Sequence, residues 1–173
     1  MTTRPPIRVE LVSNPLYLAG VRELVSSVAK RLGFNETNCS HLALAVDEAL
    51  CNVMRHGYER RMDGPIWVRI EHDERADGRL ELRLTIEDEA KQVDPCTIKS
   101  RDLCDVRPGG LGVHIIKEVM DEAKYERREK AGMRLTLIKR QPSEAPCTQS
   151  CCVERPTCAT LQTAASGKGA PRS

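Results

Sequence analysis

Three residues in the stretch DEALCNVMRHGY (47–58), Glu48, Asn52 and His56, recur at every fourth position of a segment otherwise patterned as a buried helix. Residues four apart on an α-helix are offset by about 40°. The three therefore form one slowly turning polar stripe beside the apolar face of Val46, Ala49, Leu50 and Val53. A carboxylate and an amide oxygen one turn apart suit a hard cation such as Mg²⁺, which takes few protein ligands and keeps several waters. Alternatively the carboxylate accepts a proton while the amide holds the metal. The same spacing also fits a partly solvated helix edge. His56, at the helix end before Gly57, reads as structural, through packing and a helix-end hydrogen bond.

Two further features carry chemistry. Asp88 closes the strand-like run RLELRLTIED (79–88), where a carboxylate can accept a hydrogen bond from an exocyclic amino group or simply start a turn. In RPGGLGVHII (107–116), Gly109, Gly110 and Gly112 sit before and inside a helix start. Glycines let backbone N–H groups approach an anion, and a helix N-terminus adds donors and a favourable dipole. No Lys-Ser/Thr follows, so this is not a P-loop. Ile115 stands where a dinucleotide fingerprint would have its third glycine.

The elements that must position these residues follow from periodicity. IRVELV (7–12) alternates and predicts a first strand. Asn14-Pro15 signals a helix start. Leu18, Val21, Leu24, Val25, Val28 and Leu32 line one face of the helix that ends at Gly33. Asn35 is placed to cap a second helix that runs through Leu42 to Gly57. PIWVRIEH (65–72) and RLELRLTIED read as a hairpin. Residues 89–110 have no period, as expected of an active-site lid or a disordered loop. A short helix, LGVHIIKEVMDE, buries Leu111, Ile115 and Val119 with Val113, Ile116 and Met120. AKYERRE and MRLTLIKR form a closing hairpin. The fold expected is an α/β two-layer sandwich, a mostly antiparallel mixed sheet covered on one face by helices.

Composition sets the frame. The 173 residues are 40% hydrophobic but only 3% aromatic, so the core is aliphatic, and 27 basic against 25 acidic residues leave a net charge of +2. No basic block points to nucleic acid, and no apolar run approaches the roughly 18 residues of a membrane span. No signal-peptide segment opens the chain. A cytoplasmic protein is expected, and Cys39, Cys51, Cys96 and Cys104 read as reduced thiols. One domain is expected over 1–140. Residues 141–173, with Cys147, Cys151, Cys152 and Cys158 and almost no large aliphatics, read as a disordered tail.

In their order along the chain (helix Glu/Asn, strand-end Asp, irregular loop, Gly-rich helix start), these sites resemble the GHKL ATP-binding (Bergerat) fold. AVDEALCNVMRHGY and GGLGVHIIKEVMDEAKYERREKAGMRLTLIKR are similar to the anti-sigma-factor serine kinases of the RsbW and SpoIIAB type, over about residues 7–140. The resemblance implies ATP and Mg²⁺ as cofactors, with Glu48 as general base and Asn52 as metal ligand. It implies that Asp88 binds the adenine amino group, with Ala90 beside it. The backbone of Gly109, Gly110, Leu111, Gly112 and Val113 would hold phosphates, Arg107 would meet the γ-phosphate, and 96–109 would form a lid. It implies a homodimeric kinase that phosphorylates a serine on a STAS-type anti-anti-sigma protein and sequesters a sigma factor. One departure stands out: the family's box, Asp-x-Gly-x-Gly or Asp-x-Gly-x-Pro followed by Phe, reads DEAKQVDP here, with Ala90 and Gln92 in the small or rigid positions and Val93 for the aromatic. A positive φ at Ala90 would be strained, and its Cβ could crowd the adenine. The alternative expectation is therefore a non-catalytic partner-switching module with weak or no nucleotide binding.

Overall fold

The computed structural model describes residues 6–98 and 111–142, all within the compact unit Met1–Ser143. Strand β1 (Ile7–Val12) is followed by a 3₁₀ turn, Pro15–Tyr17, capped by the Asn14 side chain. Helix α1 (Leu18–Arg31) ends in a Schellman motif: the Gly33 N–H donates to the Lys30 carbonyl and the Phe34 N–H to Ala29, with Gly33 at φ +82°. The Asn35 side chain accepts from the Asn38 N–H at 2.8 Å and starts helix α2 (Glu36–Asn52), as expected.

The α-helix does not reach Gly57. After Asn52 the chain widens into a single π turn, Val53–Gly57, closed by the Tyr58 N–H on the Val53 carbonyl at 2.9 Å. Strands β2 (Pro65–Glu74) and β3 (Leu80–Asp88), helix α3 (Gly112–Val119), and strands β4 (Glu122–Arg127) and β5 (Met133–Arg140) complete the fold.

The sheet order is β1-β2-β3-β5-β4, and every ladder among the described residues is antiparallel. Alternation decides the faces. Ile66, Val68 and Ile70 of β2, Leu82, Leu84 and Ile86 of β3, and Leu135 and Leu137 of β5 are buried. They form one core with Val25 of α1, Leu42, Val46 and Leu50 of α2, and Ile116 of α3. Each such aliphatic side chain contributes roughly 1.5–3 kcal/mol on burial. The intervening residues carry charge, as in the Arg140–Glu81 and Arg83–Glu81 ion pairs. This is the expected two-layer sandwich. Leu111 departs from expectation: it precedes the first turn of α3 and is 49% exposed.

Cys39, Cys51 and Cys96 are unpaired. The expected tail beyond Pro142, and Cys104, lie outside the described residues. No described helix is long and apolar enough to cross a membrane.

Candidate functional site

A cavity of about 410 Å³ opens between the C-terminal end of α2, the start of α3 and the ends of β3, β4 and β5. Its helix wall carries Ala49, Asn52, Val53 and His56, with Gly112 and Val113 beside them. The sheet supplies Ile86, Asp88, Tyr125, Met133 and Leu135, and the segment after β3 adds Ala90, Lys91, Val93, Thr97 and Ile98. Most of this lining is apolar, with a few polar groups set into it, which is the usual character of a small-molecule site.

Glu48 and Asn52 share the face expected of them, and that face meets α3. A Cβ on Gly112 would lie 2.6 Å from Glu48 Oε2, 3.2 Å from Asn52 Nδ2 and 3.3 Å from Asn52 Oδ1. Gly112 thus leaves room for the ends of the Glu48 and Asn52 side chains where α3 packs on α2, a reason distinct from the anion approach its motif suggests. Neither polar side chain has a hydrogen-bond or ion-pair partner among the described residues. His56 departs from its structural reading. It lies in the π turn, exposed at the cavity rim, without the expected helix-end bond among the described residues.

Asp88 is the buried acid of the site, only 4% exposed. Its Oδ1 accepts from the Ala90 N–H at 2.8 Å and the Met133 N–H at 3.2 Å. Burial pushes the carboxyl above its ordinary range, and the two backbone donors and the Arg128 charge only partly offset this. The Asp88 carbonyl accepts from Arg128 Nη1 at 2.6 Å. Gly132, at φ +79°, packs so closely that a Cβ there would lie 1.8 Å from the same carbonyl oxygen.

The segment after Asp88 explains the altered glycine box. Ala90 is not at positive φ; the described non-glycine residues that are, Glu59 and Arg60, lie elsewhere. Its buried methyl points at Gly57, where a second Cβ would approach to 2.8 Å. The glycine freedom missing at 90 is thus matched by space left at 57. Gln92 is anchored by donating from Nε2 to the Arg128 carbonyl at 2.6 Å, and Arg127 Nε donates to the Val93 carbonyl. Tyr58 ties the segment down from below, accepting from the Glu89 N–H at 2.8 Å and donating to the Pro65 carbonyl at 2.6 Å. Its ring lies where a Cβ on Gly64 would be.

Of the residues expected at the site, Asn52, Asp88, Ala90, Gly112 and Val113 line the cavity, and Glu48 reaches Gly112 beside it. Leu111 lies exposed at the entry to α3. Arg107, Gly109, Gly110 and lid residues 99–109 fall outside the described residues. Tyr125, Met133, Lys91 and Gly132 were not anticipated. The alternation of β4 and β5 marks Tyr125, Met133 and Leu135 as sharing a face, but only the register to β3 brings that face to Asp88.

The model of the histidine kinase-like ATPase domain matches residues 11–139. The chain belongs to that family. Its curated relatives include the serine-protein kinase RsbW of Bacillus subtilis, 27% identical over 142 residues that cover 77% of this chain and 84% of that protein. The RsbW of Listeria innocua is 29% identical over 130 residues, covering 71% and 80%. Among solved structures, part of the chain that carries the RsbU and RsbW domains of Rv1364c from Mycobacterium tuberculosis shares the fold. It matches with TM-score 0.54 and 19% identity over 80% of this chain, which spans 34% of that longer one. The SiaB–SiaC complex from Pseudomonas aeruginosa aligns with TM-score 0.50 and 13% identity over 78% of this chain and 89% of that one. The resemblance read from the helix and glycine motifs is borne out at family level.

Proposed function

We propose that this chain is an ATP-dependent serine-protein kinase of the RsbW type. It acts in the cytoplasm, as a homodimer, on a small STAS-type antagonist and holds a sigma factor when that antagonist is phosphorylated. The observation that carries this reading is the convergence of Glu48 and Asn52 on Gly112 at one end of a cavity whose floor holds the buried Asp88. In this reading Asp88 accepts the adenine amino group at the closed end. The backbone at Gly109, Gly110, Leu111, Gly112 and Val113 receives the phosphates, and Arg107 meets the γ-phosphate.

Asn52 Oδ1 is the ligand this chain offers to Mg²⁺. Among the described residues no cluster of three His, Cys, Asp or Glu is present. A divalent ion here would therefore draw most of its ligands from phosphate and water, which fits Mg²⁺. When bound, the ion neutralises charge on the transferring phosphoryl group. Glu48, without a partner and beside Asn52, accepts the proton of the incoming serine hydroxyl. General-base assistance of this kind contributes typically about 10²–10⁴-fold.

The alternative, a non-catalytic partner-switching module with weak or no nucleotide binding, draws its support from Ala90 and Gln92; Gly57 accommodates the Ala90 methyl, and Gln92 donates to the Arg128 carbonyl. The deciding experiment is thermal unfolding with and without Mg²⁺·ATP, run beside Asn52→Ala, followed by incubation with labelled ATP and a STAS-type protein. Ligand at 100 times its dissociation constant adds about 2.7 kcal/mol of stability. A shift in the wild type, its loss in the variant and label on serine are expected. No shift at millimolar ATP would leave only partner binding.

A further inference from the structure

We propose that the hydroxyl of Tyr125 is a second base-reading group, donating its proton to a ring nitrogen of the adenine whose amino group Asp88 accepts. This rests on the nucleotide-site reading above. The argument starts from register. Tyr125 of β4 faces Leu135 of β5, which faces Ile86 of β3, so the three form one row across the helix-side face of the sheet. Two residues further along the strands, on the same face, stand Met133 and Asp88, bridged by the Met133 N–H bond to Asp88 Oδ1. All five line the cavity. Tyr125 and Asp88 therefore occupy neighbouring rows of one floor.

On that floor Asp88 is held by backbone donors, and the nearby Tyr58 hydroxyl both accepts and donates. The Tyr125 oxygen is different: it is buried and has no hydrogen-bond partner among the described residues. Burying a hydroxyl without a partner costs folding free energy, and native proteins rarely keep one without a use. Phenylalanine would fill the same space at no such cost. Burial also pushes the phenol up to about 12, so at neutral pH it stays protonated and keeps a proton to share with an incoming acceptor lone pair. A carboxylate acceptor and a phenol donor on one floor complement an amino group with ring nitrogens beside it, which is the pattern an adenine edge presents.

The test compares wild type with Tyr125→Phe, measuring affinity for Mg²⁺·ATP and for 1-deaza-, 3-deaza- and 7-deaza-ATP, together with the unfolding temperature of each free protein. Tyr125→Phe is expected to weaken ATP about tenfold. It should bind one of the deaza analogues as tightly as wild type does, because the nitrogen that accepted the bond is already gone. The unfolding temperature of the free variant should be unchanged or higher. Three outcomes overturn the proposal: ATP affinity within twofold of wild type, an equal loss for all four nucleotides, or a fall in unfolding temperature that tracks the loss of affinity. The first and second leave the kinase reading standing. Failure of wild type to bind any of the four removes both.

Discussion

The two walls of the cavity are built in opposite ways. The helix wall offers Glu48 and Asn52 with no side-chain partners among the described residues, facing a glycine that merely makes room. The Asp88 end of the sheet floor and the segment after it are pinned: Asp88 by Ala90, Met133 and Arg128, Gln92 by Arg128, Val93 by Arg127, and Glu89 by Tyr58. A pinned floor suits the recognition of a flat, neutral base, whose hydrogen bonds discriminate only if the protein partners stay put. An unpinned pair of oxygen-bearing side chains suits a cation and a reacting hydroxyl that arrive with the ligands. Substitutions on the helix wall should therefore damage chemistry and leave stability alone, while substitutions under the floor should damage both.

The largest effect is expected at Glu48. Glu48→Gln keeps the shape and removes the base, so phosphotransfer should fall about 10²–10⁴-fold. Unfolding temperature and Mg²⁺·ATP affinity should change little. Single-turnover transfer of label to the antagonist, read beside a binding titration, checks this, and a parallel loss of affinity would contradict the contrast between the walls. Next comes Gly132→Ala, under the floor. Its Cβ would meet the Asp88 carbonyl at 1.8 Å on a backbone already at φ +79°. A loss of roughly 2–4 kcal/mol of stability is expected together with loss of base binding. Urea unfolding and the same titration report both. An unchanged midpoint would mean that the floor is not pinned from below.

How much of this contrast was legible in the sequence differs between the walls. The helix wall was readable because Glu48 and Asn52 lie on one element, and a fixed helical period turns spacing directly into a face. The strands and the Asn35 cap were readable for the same local reason. The π turn was not, since moving a hydrogen bond from the fourth to the fifth residue back leaves no mark in composition. Asp88 was visible as a strand end, but its partners include Met133 and Arg128, 45 and 40 residues away. Tyr125 reads as one more alternating residue until the order β3-β5-β4 sets it on the face of Asp88, with β5 between them. The Ala90 departure shows the limit most clearly. From sequence Ala90 reads as strain, yet its φ is not positive, and Gly57, which makes room for its methyl, belongs to a different element.

Asp88→Asn sharpens the contrast within the floor itself. The amide oxygen can still accept from Ala90 and Met133, but an NH₂ group now faces the base, so ATP affinity should fall by about 1.5–3 kcal/mol, the worth of a hydrogen bond to a charged group. The free protein should be as stable as wild type or more so. Burial raises the Asp88 carboxyl above its unfolded value, so its ionised form costs stability at neutral pH, and that cost is relieved as pH falls through the raised value. ATP affinity should move the other way. The ionised carboxylate is the acceptor, so binding by wild type should weaken with falling pH, starting above the ordinary carboxylate value of 3.8. Isothermal titration across that range, with Asp88→Asn as the flat control, reads the effect. A wild-type curve as flat as the variant's would remove Asp88 from the base contact.

The smallest expected effect tests the compensation between residues 90 and 57. Ala90→Gly restores the residue type of the family's glycine box, and if the family pattern alone governed the site, the change would improve stability or ATP binding. The packing says otherwise. Ala90 adopts no positive φ, so glycine relieves no strain. Its methyl is buried against Gly57, so glycine also leaves a gap. Glycine's extra unfolded-state entropy adds roughly 0.5–1 kcal/mol, and the lost methyl about 0.8 kcal/mol, so Ala90→Gly should destabilise by about 1–2 kcal/mol with ATP affinity nearly unchanged. Gly57→Ala tests the pair from the other side: it should be more harmful than Ala90→Gly, and combining the two should recover part of the loss, because only one of the two positions has room for a Cβ. Strict additivity in that double-mutant cycle would mean that the two methyls never compete for the same space.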